Sequence, residues 1–391
     1  MLTTMRLYQI NSSRILQHIR KNRGKSRIAV SEELGLDRST LTKVVRDLIA
    51  RNLVRTTGKY RGKPGVGRMA TGLEINPDFT LVLGIEAQPR FCRWALVNLD
   101  GTSVSSGTHE YTAGNDDLCA HVQEIYQEAL QNAQDKKLTI SGLGIGLSGI
   151  VDPYNGVILN SNPLSITSPW PIRTILEAKL GIPVFVENDA NCCCWGELAF
   201  RSNGPSRNFL AFLGEFRNVD IGKNKINGTA FGIGLVIRGN VFHGDTFTAG
   251  EFRSLLYDHT KPGNSQFSIS DQEAMRLPGD TGVLERVFDE VAYNGSLLVN
   301  CLDMNKVVIA GDFAAYPELL QKKLEQAIQS NWIYTTKKEC AIEFSPDGPL
   351  AVAMGAAGLF IEKLFSVPDM TDHIDEAVGY ILLERISPSP T

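Results

Sequence analysis

Cysteine is sparse in this chain and never spaced as a ligand pair. The seven thiols (Cys92, Cys119, Cys192, Cys193, Cys194, Cys301, Cys340) form no C-x-x-C unit. That spacing argues against a disulfide framework, so free buried thiols in a reducing compartment are expected. No apolar run reaches the roughly 20 residues that a membrane-spanning helix needs, and no membrane partner is expected. An apolar signal segment is missing from the N-terminus, which makes the cytoplasm the expected location. Acidic residues are scarce in one region only. Residues 1–70 hold 4 Asp+Glu against 16 Lys+Arg, whereas the rest holds 39 against 23. A basic head on an acidic body is the footprint of a nucleic-acid module joined to something that should avoid DNA. With 391 residues, 43% of them hydrophobic, the chain has room for two or three domains with a substantial core.

What is present begins with SRIAVSEELGLDRSTLTKVVRDLIARNL, residues 26–53. Val30, Leu34 and Leu36 make a short apolar pattern broken by Gly35. Asp37 stands where a second helix wants its cap. Leu41, Val44, Val45, Leu48 and Ile49 follow at helical spacing. The outer face carries Arg38, Ser39, Thr40, Thr42, Lys43 and Arg46. Helix, tight turn and hydroxyl-rich cationic helix together predict a helix-turn-helix with its second helix in the DNA major groove. Hydroxyls and guanidinium groups donate to base edges and phosphates, and Lys43 neutralises backbone charge.

Before this unit, residues 1–10 read as a flexible lead, with Asn11 or Ser12 capping a helix that carries Ile15, Leu16 and Ile19. After it, Leu53–Val54 begin a strand, and the Gly-rich stretch to Asn76 reads as a β-hairpin wing. Lys59, Arg61, Lys63 and Arg68 lie near its tip, fit for a minor groove or adjacent phosphates. Pro77 closes the module. Beyond it, strands at TLVLGIEA, CRWALVNLDG, LTISGLGIGLSGIVD and PVFVEND alternate with helices at 114–134, 172–180 and Ala190–Phe200. A similar order restarts near Asn208. It has two strands joined by a polar stretch, helices between Asp271 and Leu302, the strand KVVIAGDF, and helices Pro317–Ser330 and Leu350–Leu364. The fold class expected is α/β, with an all-α and winged-helix N-terminal domain.

The series GRMATGLEIN, GIGLSGIVDPYNGVI, PVFVENDANC, GTAFGIGLVIRGNVFHG, AGE and VVIAGDF resembles the ROK family of repressors, open reading frames and sugar kinases. In particular it is similar to the family's xylose and N-acetylglucosamine repressors. The resemblance implies an actin/hexokinase-like body of two α/β lobes around a cleft. It divides the chain into a winged helix-turn-helix at 1–77, a first lobe at 78–190 with 366–391, and a second lobe at 191–365 that also serves dimerisation.

The resemblance also implies a sugar site at Gly149, Asn162, Asn188, Asp189, Glu251 and Ser254. Ser254 stands where the family has a zinc-binding His, and the loop after it has no Cys, so no metal is expected there. The first phosphate loop of the kinases is degenerate here at Glu86-Ala87-Gln88-Pro89, because Pro89 offers no N–H and the glycines are gone. The second, Gly228 to Gly234, persists and reads as a tight turn between strands. The expectation is a regulator of carbohydrate metabolism, a repressor rather than an enzyme, without cofactor. Its partners are a double-stranded DNA operator, a sugar or sugar-derivative effector and a second copy of itself. Two other readings stay open: a sugar kinase with a DNA-binding head, and a ligand-blind regulator controlled by a protein partner.

Overall fold

The computed structural model describes residues 4–60, 70–111, 118–201, 207–221, 224–260, 263, 265–367 and 378–386. Three helices open the chain: α1 (Thr4–Lys21), α2 (Arg27–Leu34) and α3 (Arg38–Ala50). Ser26 caps α2, accepting from the Ala29 N–H, and Gly35 ends it in the left-handed region at φ 63°. Asp37 caps α3 by accepting from the Thr40 N–H at 2.9 Å. Ser39 and Thr40 together hold the Asp37 carboxyl down at about 2. The turn and cap expected from sequence are therefore in place. The flexible lead is not, since α1 already begins at Thr4. Its first turns find a partner: Tyr8 packs on the head core, and its hydroxyl donates to Asp47 at 3.1 Å. Ser12 is buried inside the helix instead of capping it. Strands β1 (Val54–Tyr60) and β2 (Ala70–Ile75) pair antiparallel as the wing. Arg61, Lys63 and Arg68 lie outside the described residues.

The body continues with β3 (Leu81–Ala87), β4 (Phe91–Asn98), β5 (Ser103–Glu110), α4 (Leu118–Asp135) and β6 (Ile140–Leu147). A small hairpin of β7 (Ile150–Asp152) and β8 (Val157–Asn160) follows, then α5 (Ile172–Leu180), β9 (Val184–Asn188) and α6 (Asp189–Phe200). Next come β10 (Phe209–Ile221), β11 (Asn224–Ile237), β12 (Asn240–Val241), α7 (Asp271–Ala274), α8 (Thr281–Cys301) and β13 (Lys306–Gly311). The chain ends with α9 (Pro317–Ser330), β14 (Ala341–Phe344), α10 (Ala351–Leu364) and α11 (Val378–Ile386).

Two sheets share one topology. The first runs β5-β4-β3-β6-β9 and the second β12-β11-β10-β13-β14. In each, an antiparallel hairpin leads into two parallel strands. The restart read near Asn208 is thus a repeated architecture. Strands β5 and β14 were not legible in sequence. Apart from Val104, β5 is polar or small, and it lies at a sheet edge, so it never alternates strongly. The polar stretch after Phe216 does not join two strands as a loop. It continues β10 into β11, with Arg217 paired to Gly228 and Ile221 to Asn224. Gly228–Gly234 is accordingly strand and not a tight turn.

Helices α6 and α10 pack against each other and carry the two sheets. The approach is close enough to demand glycine. A Cβ on Gly144 would sit 1.9 Å from the Ala356 carbonyl oxygen, and one on Gly355 would sit 1.9 Å from that of Cys192. Cys192, Cys193 and Cys194 are buried in this contact, and burial pushes their thiols up. Cys301 is exposed and Cys340 half-buried, so burial of all seven thiols does not hold. Cys301 falls on the last, open turn of α8 and Cys340 just before edge strand β14.

The head is not a bead on a string. Ile15, Leu41, Val44 and Leu48 belong to one buried cluster with Val97, Leu99, Phe360 and Leu364 of the body. Helix α11 joins the same cluster through Leu382 and Leu383, and Arg51 of the head donates to Glu384 at 2.9 Å.

Candidate functional site

On α3 the buried side is Leu41, Val44, Val45 and Leu48. Arg38, Ser39, Thr42, Lys43 and Arg46 are exposed, while Thr40 is half-buried. Ser39 turns its hydroxyl onto the Asp37 cap, and Arg38 stands 3.5 Å from Glu32. Among the described residues no carboxylate pairs with Lys43 or Arg46. Lys59 is placed in β1 opposite Thr71. The result is a helix face with two cations free of carboxylate partners and one exposed hydroxyl, that of Thr42, outside the Asp37 cap, projecting from a head anchored to the body.

The second site lies where β6 and β9 end. Asn188 caps α6, accepting from the Asn191 N–H at 3.2 Å, and its amide donates to the Gly149 carbonyl at 3.1 Å. Gly149 has φ 134°, and a Cβ there would meet the Asn160 carbonyl at 2.4 Å. Only glycine lets this turn close on Asn188. Asp189 is the first residue inside the helix, 7% exposed. Its carboxylate accepts from the Ala190 N–H and from the Ser148 hydroxyl. Burial raises its pKa against the pull of Arg217, whose guanidinium lies 3.9 Å away. Glu251 is exposed, yet partial desolvation and the Asp189 charge raise it too. The two carboxylates therefore feel each other across the cleft. Asn162 is exposed in the turn after β8. Ser254 is turned away: it is buried, and its hydroxyl accepts from Asn294 of α8 at 3.2 Å.

A network of charged side chains from both sheets closes this cleft. Glu86 of the first sheet is fully buried, and Glu215 of the second is nearly so. Gln88 bridges them, donating at 2.9 Å and 3.2 Å. Arg93 lies 3.3 Å from Glu86 and 3.8 Å from Glu215. Arg217 donates to Glu215 at 3.0 Å and to Ser148 at 2.8 Å. Burial, reinforced by Glu215, pushes Glu86 well above the usual carboxylate range. Asp312 accepts from the Phe216 N–H at 2.8 Å, and burial raises it as well. Glu86 and Gln88 stand in the degenerate loop from Glu86 to Pro89, and Asp312 in the VVIAGDF stretch. No motif marks Arg217.

Behind Asn188, Glu187 accepts from Trp195 at 3.0 Å and from His243 at 2.9 Å. A cavity of about 770 Å³ lies away from Asp189. It opens between head and body, where Arg20 and Lys21 face Trp195, Arg207, Arg238 and Lys363. The cleft carries the buried charges and shifted carboxyls that mark a binding site, and it is the stronger candidate.

Residues 82–263 match the profile of the ROK family. The chain is 28% identical over 255 residues to a putative xylose repressor of Caldicellulosiruptor sp. strain Rt8B.4, covering 64% of this chain and 59% of that one. It is 23% identical over 411 residues to the xylose repressor of Caldicellulosiruptor bescii, covering 93% of this chain and 98% of that one. The chain thus spans under two thirds of the first relative and nearly all of the second. Among solved structures, a ROK family transcriptional regulator described as a homolog of the E. coli MLC protein aligns with TM-score 0.72. That alignment has 19% identity over 98% of this chain and 99% of that one. The fold is shared with this ROK regulator from end to end.

Proposed function

We propose that this ROK protein is a sugar-responsive transcriptional repressor of carbohydrate metabolism. The observation that carries the reading is the exposed face of α3, with Thr42, Lys43 and Arg46 projecting from a capped helix of a winged head. The relatives named xylose repressor support the same reading and a sugar as effector. In this reading residues 1–77 contact DNA through Arg38, Ser39, Thr40, Thr42, Lys43, Arg46 and the wing. The sugar lies between a first lobe of 78–190 with 366–391 and a second of 191–365, near Gly149, Asn162, Asn188, Asp189 and Glu251. Ser254 shapes this wall from behind through Asn294. The active form is a dimer. An exposed apolar patch of Leu255, Leu256, Tyr293 and Leu297 supports that, since the Leu255 N–H is bonded to Asn294 beside Tyr293.

The cleft is read as a binding site and not as a phosphoryl-transfer site. The turn after β3 runs Glu86-Ala87-Gln88-Pro89, without the glycines and the N–H that would cradle a phosphate. The glycines of β11 serve packing instead, because a Cβ on Gly234 would sit 2.4 Å from the Cys194 sulfur.

The test is fluorescence anisotropy with duplexes from the DNA flanking the coding sequence, at graded salt, with and without D-xylose, D-glucose and N-acetylglucosamine. One of these sugars should release or tighten the complex. Lys43→Ala and Arg46→Ala should each reduce the salt slope by about 0.9 if they touch phosphate. Affinity and slope unchanged in both variants would remove α3 as the reading helix. Sugar-dependent ATP turnover would favour a kinase instead.

A further inference from the structure

We propose that His109, His121 and Glu124 form a binding site for a divalent transition-metal ion of the zinc type. The site lies on the first lobe, far in sequence from Glu251–Glu273, the stretch in which no zinc is expected. His109 comes from edge strand β5, and His121 and Glu124 come from one turn of α4. Residues three apart share a helix face, which is why the last two point together.

The geometry carries the proposal. His109 Nε2 lies 3.1 Å from His121 Nδ1 and 3.0 Å from Glu124 Oε2. His121 Nδ1 lies 3.6 Å from the same Glu124 oxygen. Three donor atoms thus form a small triangle. Ligands held about 2.0–2.1 Å from a tetrahedral ion stand roughly 3.3 Å apart, which is the scale of all three sides. A single proton can lie along one or two sides of such a triangle but not all three. A cation near its centre faces all three lone pairs. Two imidazoles and one carboxylate also match the donor set that zinc accepts in three-ligand sites with an open fourth position.

The surroundings fit a held ligand set. His121 is 4% exposed, and the ring of Tyr111 stacks on it at 4.3 Å and 8°. Tyr111 is itself fixed, because its hydroxyl donates to the Gln88 carbonyl. The second nitrogen of His121, Nε2, has no partner among the described residues, so the Tyr111 stack steadies the ring while Nδ1 faces His109 and Glu124. Glu124 is mostly exposed, which leaves a path for the ion from solvent. Bound metal would clamp edge strand β5 to α4.

The experiment uses the full chain, stripped with a chelator and then titrated with Co²⁺ or Zn²⁺. Zinc is spectroscopically silent, so cobalt reports geometry through its visible d–d bands, and zinc is read by thermal melting. The expected result is one saturable equivalent of cobalt with tetrahedral-type bands and a zinc-dependent rise in melting temperature. Glu124→Ala and His109→Ala should each weaken binding at least tenfold and abolish the melting shift. Glu124 is on the surface, so its variant keeps the test usable if the histidine variant folds poorly. No saturable binding by the parent, or equal binding by the Glu124 variant, would overturn the proposal. None of these readouts depends on DNA or sugar, so failure here leaves the regulatory reading untouched.

Discussion

At the scale of single residues, the cleft separates two roles that adjacent side chains could have shared. Asn188 is the cap of α6, while Asp189 points into the cleft beside Ser148 and Arg217. Asp189→Asn should therefore keep the fold, because the cap is intact and Arg217 retains Glu215 at 3.0 Å. If the sugar binds here, the variant should lose roughly 1.5–3 kcal/mol of affinity, the range for a hydrogen bond to a charged group. Calorimetry with a sugar that binds the parent checks this, and equal affinity would take Asp189 out of the site. Glu86 gives a pH prediction. Its carboxyl is raised in the folded state by burial and then by Glu215. The folded chain therefore holds more protons than the unfolded one above the ordinary value of 4.5. This group's stabilisation is present in full below that value and is lost as pH rises toward the folded pKa. Glu86→Gln should flatten the fall in melting temperature between about pH 5 and pH 8. Parallel melting curves for parent and variant across that window would show that Glu86 titrates normally.

At the scale of elements, α10 is the piece on which the body depends. Its Gly/Ala-rich face lets it lie against β3, β6 and α6 with backbone almost touching backbone. Gly144→Ala places a methyl group on the Ala356 carbonyl, an atom that can move only if the helix moves. Overpacking of this kind costs about 1–3 kcal/mol or more. Urea denaturation should show that loss, whereas Gly58→Ala, with open space around it, should not. Equal stability of the two variants would mean that α10 is free to slide. The same geometry explains the apparent phosphate motif in β11. Gly232 and Gly234 face Ala190 and Cys194 of α6, so their small size serves helix packing.

At the scale of the whole molecule, the shared core of head and first lobe decides how a signal could travel. Head residues such as Val44 and Leu48 and body residues such as Phe360 and Leu364 occupy one cluster, closed by Leu382 and Leu383 of α11. A head buried this way should not melt as an independent unit. Scanning calorimetry should show no separate early transition for it. Arg51→Ala removes the bonds to Glu384 and Leu383 and should split such a transition off. An independent head transition in the parent would contradict a shared core. The second link is the cleft network, in which Arg217 of β10 meets Ser148 after β6 and Asp189 of α6. A ligand that competes for Asp189 would change what joins the lobes, and the anchored head would follow.

Local signals determined the three-helix head. Ser26, Gly35 and Asp37 act on backbone groups within a few residues, and the apolar spacing of α3 states its buried side. The alternation of strands and helices likewise fixed the α/β class, because each element declares its own period. What sequence could not state depends on partners far along the chain. Strand β5 and α11 are formed by the neighbours that receive them, and α1 gains its first turns from Asp47. The cleft is the sharpest case. Asn188 and Asp189 were legible as a strand end and helix start, and as site candidates only through the ROK resemblance. Arg217 and Glu215 matter only because a second sheet brings them within 3–4 Å of Ser148 and Asp189. Charge and burial at that point come from tertiary packing, and no pattern in the neighbouring residues encodes them.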